Sequence, residues 1–401
     1  MYKALKLTGR LMSNFAMLRD ELLAEIETIA PVVREYASQS EQLGRLAEPI
    51  IKAVRQTSLL RFICAHELGG CEADPLTVME VTEALSRIDG SVGWTLGIIA
   101  NATALAGAFL PAESARRVFG SGVPIIAGAV QPRNSTAEPV DGGYLVNGRW
   151  SFGSGIHFAD WVMAGALVPG QSPPAGLRVA VLPREQVTVH DNWQVAGLRG
   201  TGSCDYSIDN VFVPDNMTFS IMDAIHGNVV TGEKVMFRLG FPAFFTAFHV
   251  GVPLGIARRA LDEITAQAIS KSRGITATTP LAAQPQFQAT LGKIEVQFKA
   301  ARALAMQALS RGWAEVCTGR TPPAILQAEI RTSGTYIDEL GQQITTEAFQ
   351  AAGGSALFDS NPLQRCLRDA QAAGQHFAVS RSAYRNFGMF KLGQPDAQPY
   401  G

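Results

Sequence analysis

Apolar residues recur at helical spacing from the N-terminus to about residue 120, as in LLAEIETIAPVVREYA and LTVMEVTEALSRI, with breaks at Gly, Pro and Asp clusters such as ELGGCEADP. This pattern predicts an all-helical segment over 1–121. Past Pro124 the texture changes to short β-branched and aromatic runs separated by Gly, Pro and Asp: IIAGAV, GGYLVNGRWSF, WVMAGALV, LRVAVLP, VTVHDNW and CDYSIDNVFVP. These runs predict a β-domain over 122–228. Long amphipathic stretches then return, among them GVPLGIARRALDEITAQAIS, QATLGKIEVQFKAARALAMQALSRG and PPAILQAEIRTSGTYIDELGQQITTEAFQAA, and they predict a four-helix bundle over 229–401. The fold class is therefore α+β, mainly α, in helical, β and helical thirds.

Composition narrows the function classes. Hydrophobic residues make up 47% of the 401-residue chain, charged residues 17%, and the net charge is −1, the profile of a globular enzyme with a large buried interior and no electrostatic preference for nucleic acid or anionic membrane. The most apolar runs, 94–110 and 241–257, are interrupted by Asn, Thr, Gly, Pro or His and are expected as buried helices rather than membrane spans. The first residues, MYKALKLTGRLMSNFAM, lack the continuous apolar stretch of a signal peptide. Five cysteines without CxxC or metal-type spacing predict neither a disulfide framework nor a bound metal, and a reducing cytoplasm fits them.

The chain has no GxGxxG motif following a strand and no GxxxxGK[ST], so neither a Rossmann nucleotide site nor a P-loop is indicated. Other segments carry two readings each. The small residues of GLRGTGSCDYSIDNVFVPD permit a ligand to approach the backbone, and equally suit an ordinary turn into a strand. Gly353 and Gly354 in QAAGGS fit a plain helix C-cap. Arg273, in ISKSRG, reads as a solvated charge. Within RDAQAAGQHFAVS, His376 is either a satisfied interface histidine or the agent of any acid–base work there, because no glutamate follows Glu347.

Six segments in order resemble the acyl-CoA dehydrogenase fold superfamily over essentially the whole chain: HELGG (66–70), RIDGSVGW (87–94), QPRNSTAEPVDGGYLVNGRWSF (131–152), GLRGTGSCDYSIDNVFVPD (197–215), PLGIARRALD (253–262) and QAAGGSALFDSNPLQRCLRDA (350–370). The resemblance implies an N-terminal helical domain, a middle β-barrel or sandwich and a C-terminal four-helix bundle. It also implies that Gln350, Gly353 and Gly354 approach a flavin shared with a neighbouring subunit, hence a homo-oligomer, a tetramer or a dimer. By the same resemblance Arg273 pairs with the flavin phosphate, a role that suits a guanidinium fork.

Dehydrogenases of this superfamily remove an α-proton with a glutamate placed after an arginine–aspartate–alanine triplet or on an earlier bundle helix. Here the triplet is Arg368, Asp369 and Ala370, and neither QAAGQHFAVS nor FRLGFPAFFTAFHVGVPLG contains a carboxylate. The usual proton abstraction has no agent. The chain instead resembles a branch with histidine at that place: the oxygenase components of two-component flavin-dependent monooxygenases, similar to those acting on p-hydroxyphenylacetate and dibenzothiophene. His376 matches the histidine. Trp150, Phe152, Ser154 and Gly155 match a W-x-F-x-S-G element, and Trp94 matches a GW that follows DGSVG.

That branch implies reduced FMN or FAD from a separate NAD(P)H-dependent reductase, O₂ as co-substrate and a C4a-hydroperoxyflavin. By resemblance, Trp94, Phe152, Ser154 and Gly155 contact the flavin, with the Ser154 hydroxyl at N5. His376 protonates the peroxide, holds the substrate or accepts its proton. The phenol-gripping histidine and serine of the branch are absent, their regions reading IIANAT, with Asn101, and AGAVQPRN, with Gln131. A small aromatic, heteroaromatic or heteroatom-bearing substrate is expected, lined by Asn101, Gln131, Phe245 and His249. The alternative is a divergent acyl-CoA dehydrogenase or oxidase with bound FAD.

Overall fold

Asp74 and Asp89 set the first structural frame. The Asp74 carboxylate accepts the Leu76 amide at 2.9 Å ahead of Pro75 and starts a helix, and Asp89 accepts the Val92 amide at 3.1 Å to start the next. The computed structural model describes residues 2–132, 134–230, 235–271 and 279–399. Arg273 therefore lies outside the described residues.

Five helices open the chain: α1 (Tyr2–Leu43), α2 (Glu48–Val54), α3 (Pro75–Ile88), α4 (Gly90–Phe109) and α5 (Ala112–Phe119). Helix α4 is apolar on every side and all but Ile98 is buried, so the run that could cross a membrane by length and composition is a core helix here.

Strands β1 (Ile126–Ala129), β2 (Thr136–Val140), β3 (Gly143–Gly153), β4 (Trp161–Leu167), β5 (Leu177–Pro183), β6 (Thr188–His190), β7 (Cys204–Pro214) and β8 (Thr218–Ser220) form one sheet. Its order is β6-β7-β3-β2-β4-β5-β8, with β1 added parallel to β4. Trp150 and Tyr206 stack in its interior with ring centroids 5.4 Å apart, and the Trp150 indole N–H donates to the Gly165 carbonyl at 2.7 Å.

The remaining helices are α6 (Ile221–His226), α7 (Phe241–Ser270), α8 (Pro285–Cys317), α9 (Ala324–Ala352), α10 (Pro362–Ala373) and α11 (Ser382–Lys391). Helix α7 is the central post and packs against α3, α8, α9 and α10. Its approach to α3 is backbone to backbone: a Cβ at Gly255 would lie 2.3 Å from the Glu83 carbonyl oxygen, so only glycine permits the contact. The arrangement is mostly helical with a central sheet, as the hydrophobic pattern predicts.

Candidate active site

A β-bulge aims the first catalytic candidate. The β3–β7 register shifts between Trp150 and Gly153, and Phe152 is thrown to positive φ (68°) and to the surface, 56% exposed, with its ring edge on Trp193. The chain then turns at Gly155, also at positive φ, where a Cβ would lie 2.9 Å from Ile99. Between the two, Ser154 points inward and is 3% exposed. Trp150, one pleat earlier, belongs to the sheet core and not to a pocket wall.

The Ser154 hydroxyl heads a directed chain. The Trp94 indole N–H donates to Ser154 Oγ at 3.2 Å, Ser154 Oγ and Ser203 Oγ are 2.7 Å apart, Ser203 and Thr201 hydroxyls are 2.7 Å apart, and Thr201 donates to the Leu198 carbonyl at 2.8 Å. Each hydroxyl has one hydrogen. Because Thr201 spends its hydrogen on a carbonyl, Ser203 donates to Thr201 and Ser154 donates to Ser203. Ser154 is left with a free lone pair, an acceptor.

The second half is a pair of imidazoles beside Trp94. His249, on α7 and 3% exposed, has Nδ1 2.9 Å from the Phe245 carbonyl and Nε2 2.8 Å from His376 Nδ1. The Trp94 ring packs edge-on against both, with centroids 5.8 Å from His249 and 5.4 Å from His376. Burial pushes the His249 imidazole down to about 4 and the His376 imidazole well below its ordinary value, the latter further lowered by His249. Both rings are neutral near pH 7. His376 stands beyond the helix that carries Arg368 and Asp369: α10 ends at Ala373 and His376 caps the 3₁₀ turn Phe377–Val379. From that turn its ring meets His249 of α7.

The arginine–aspartate pair has a structural task. Asp369 Oδ1 accepts the Leu198 amide at 2.6 Å, and Arg368 donates to the Ala196 carbonyl at 2.6 Å and also pairs with Glu41. Burial, with the Asp89 charge nearby, pushes the Asp369 carboxyl up to about 7. The loop is so close to α10 that a Cβ on Gly197 would lie 2.0 Å from the Arg368 carbonyl oxygen. This clamp fixes the Leu198–Ser203 segment, and hence the hydroxyl chain, against the helix that leads to His376.

Other sequence candidates lie elsewhere or play different parts. Asn101 is buried on α4, donates to the Gly97 carbonyl at 2.8 Å and leaves its Oδ1 without a partner. Gln131 is exposed in the turn after β1. Phe245 is half-buried and packs on Phe241 and Phe244. Gln350 is exposed at the end of α9, and Gly353 (φ 65°) closes that helix, with Gly354 following. The α9 residue Arg331 reaches the Phe377 carbonyl at 3.3 Å. At ~1.5 Å per residue, Gly353 is roughly 30 Å further along. Within one chain these three residues are not part of the Ser154–His376 cluster.

Sequence reading missed Thr201 and Ser203, whose only signal was membership of GLRGTGS. It also missed a gathering of possible donors behind them: His157, Asp191 and Cys204 bring one ligand-type atom each within 4.8 Å of one another, with His157 Nε2 3.3 Å from Cys204 Sγ.

The cluster suits a reduced flavin: an inward hydroxyl oxygen with a spare lone pair, an indole beside it and neutral imidazoles, with no Asp or Glu bonded to either imidazole among the described residues. Comparison with known proteins agrees. The family "Acyl-CoA dehydrogenase, C-terminal domain" matches residues 247–381. Indole-3-acetate monooxygenase of Pseudomonas putida is 30% identical over 93% of this chain and 95% of its own. The flavin-dependent monooxygenase oxygenase subunit HsaA of Mycobacterium tuberculosis is 27% identical over 93% of this chain and 96% of its own. The structure of XiaF from Streptomyces sp. in complex with FADH2 and glycerol superposes with a TM-score of 0.88 at 25% identity, covering 96% of this chain and 98% of that one. The chain thus belongs to the flavin-dependent monooxygenases of the acyl-CoA dehydrogenase fold superfamily, alongside the indole-3-acetate monooxygenases.

Proposed function

We propose that this chain is the oxygenase component of a two-component monooxygenase. It takes reduced FMN or FAD from a separate NAD(P)H-dependent reductase and, with O₂, places one oxygen atom on a small aromatic or heteroaromatic substrate. The observation that carries the reading is the buried Trp94–Ser154 and His249–His376 cluster with no carboxylate bonded to its imidazoles. A dehydrogenase would need such a carboxylate as base. The relatives named for indole-3-acetate and as an oxygenase subunit support an aromatic substrate and a reductase partner.

When bound, reduced flavin supplies the activation of O₂. The residues of the chain do the rest. Ser154 accepts a hydrogen bond from a reduced ring N–H, Trp94 holds that serine in place, and the apolar walls from α4 and α7 exclude water. His376 takes or returns a proton at the nitrogen that faces the reacting groups.

We further propose a cytoplasmic homotetramer. Supporting it, Lys271 at the end of α7 is tied to the Ala352 carbonyl and Ser355, and this same end carries Ile269, Leu357 and Phe358, each about 70% exposed. Apolar side chains grouped at one end of a bundle suit a subunit interface.

The test is anaerobic mixing with reduced FMN or FAD, followed by O₂ and a panel of indoles, phenols and aromatic sulfides. Oxygenated product in step with flavin oxidation supports the reading. Quantitative release of hydrogen peroxide with every substrate, or bleaching of a purified yellow protein by an acyl-CoA, overturns it.

A further inference from the structure

We propose that His249 is the proton store of a two-imidazole relay, positioned behind His376 and acting only through it. The hydrogen-bond geometry carries this. His249 Nδ1 lies 2.9 Å from a carbonyl oxygen, which can only accept, so that nitrogen bears a hydrogen whatever the charge of the ring. In the neutral pair His249 Nε2 is therefore bare, and the 2.8 Å contact requires His376 Nδ1–H to donate to it. His376 is then held as the Nδ1–H tautomer. Its Nε2 keeps a lone pair and has no protein partner among the described residues.

The same atoms accommodate one added proton. A proton taken at His376 Nε2 from an O–H or N–H acid in the site leaves that acid as its anion. The His376 Nδ1 proton then crosses to His249 Nε2. His249 becomes an imidazolium whose two N–H groups are both satisfied, by the Phe245 carbonyl and by His376 Nδ1. His376 Nδ1, now bare, also meets the Ala378 amide at 3.3 Å, a donor with no use in the neutral pair. The charged state thus gives the Ala378 amide a share of the one lone pair of His376 Nδ1, which the neutral pair denies it. Reversal returns the proton, so the pair is unchanged over a cycle.

The surroundings keep the stored charge short-lived. Trp94 from α4, Phe248 from α7 and Phe377 present rings, and burial lowers the proton affinity of both imidazoles. Two ionisable groups of α9 meet this segment. Arg331 bonds the Phe377 carbonyl, and Asp338 has Oδ2 2.7 Å from where a Cβ on Gly374 would stand, its carboxyl pushed up to about 7 by burial. Asp338 is bonded to Gln342 rather than to an imidazole, and the direct hydrogen bond from His376 leads to His249.

The inference rests on the monooxygenase reading only for the acid that feeds the relay. Its test begins on the resting protein, selectively ¹⁵N-labelled at histidine, with the two rings assigned through His249→Gln. Both histidines are expected as Nδ1–H tautomers. On acidification the two rings change together in one event, with His249 gaining a hydrogen at Nε2. An Nε2–H tautomer at either ring near neutral pH, or two independent protonations, overturns the relay.

His249→Gln supplies the functional arm, because its amide oxygen still accepts the His376 Nδ1 hydrogen but cannot hold a proton. Oxygenation is expected to fall about tenfold, and its pH profile to lose one ionisation, while reduced-flavin binding and the His376 tautomer persist. A variant with the wild-type pH profile overturns the relay. Failure of the wild type to oxygenate any substrate, with the tautomers as stated, instead overturns the oxygenase reading.

Discussion

His249 Nε2 and His376 Nδ1 stand 2.8 Å apart although 127 residues separate them in the chain, and the contact places two neutral imidazoles in direct hydrogen-bond contact beside Trp94. A central bundle helix and a post-helical turn meet there. The consequences reach both chemistry and stability.

His376→Ala should remove oxygenation by on the order of 10²- to 10⁴-fold, the usual worth of a positioned acid–base group. Reduced-flavin affinity should stay within a few-fold of wild type. Rapid-mixing absorbance and product analysis separate the two quantities, and full product yield from the alanine variant would remove His376 from the reaction.

Ser203→Ala breaks the hydroxyl chain in its middle. Ser154 loses its acceptor and Thr201 its donor, a cost of roughly 1–3 kcal/mol for buried groups. Ser154 then becomes free to donate, and hydrogen peroxide should be lost at the expense of product. The measurement is the ratio of peroxide to product per flavin oxidised, with denaturant unfolding alongside; an unchanged ratio would sink the proposed directionality.

Gly197→Ala should be the most damaging small substitution in the Leu198–Ser203 region. The new methyl would lie 2.0 Å from the Arg368 carbonyl oxygen and 2.4 Å from its carbon, so loop or helix must move. Overpacking of this kind costs on the order of 1–3 kcal/mol or more. Thermal unfolding checks it, and Gly354→Ala, which meets nothing within 4 Å, serves as the control with little change expected.

Asp338→Asn tests a buried carboxyl through the pH dependence of stability. Burial pushes Asp338 up to about 7, while in the unfolded chain it titrates near ~4. The folded protein thus binds the extra proton between these values, and the stability Asp338 contributes is full below ~4 and lost as pH rises toward 7. Asparagine has no such ionisation. The stability of Asp338→Asn relative to wild type should rise across this window, by up to about 1.4 kcal/mol per pH unit. The buried histidines act oppositely: with folded values below the unfolded ~6.5, their neutral form stabilises the fold above that pH and this is lost on acidification. Denaturant titrations at several pH values resolve the two signs.

The hydrophobic period by itself determined the helical, β and helical order, because helices and half-buried strands need different apolar spacings to reach a core. Local motifs marked Ser154 as a candidate, through the resemblance of RWSFGSG to a W-x-F-x-S-G element. They also marked His376, by the absence of any neighbouring glutamate. What only the tertiary structure decided is the company these residues keep. The β3–β7 pairing of Gly153 with Cys204 brings Ser203 to Ser154, and that register depends on the whole sheet. The end of α10 at Ala373 turns His376 toward α7, where His249 waits a third of the chain away. The Arg368–Asp369 pair, read from sequence as a signpost to the catalytic residue, is a clamp on the 196–198 loop. Hydrogen-bond direction and proton affinity arise from such long-range contacts and from burial, and neither is encoded in the spacing of residues along one segment.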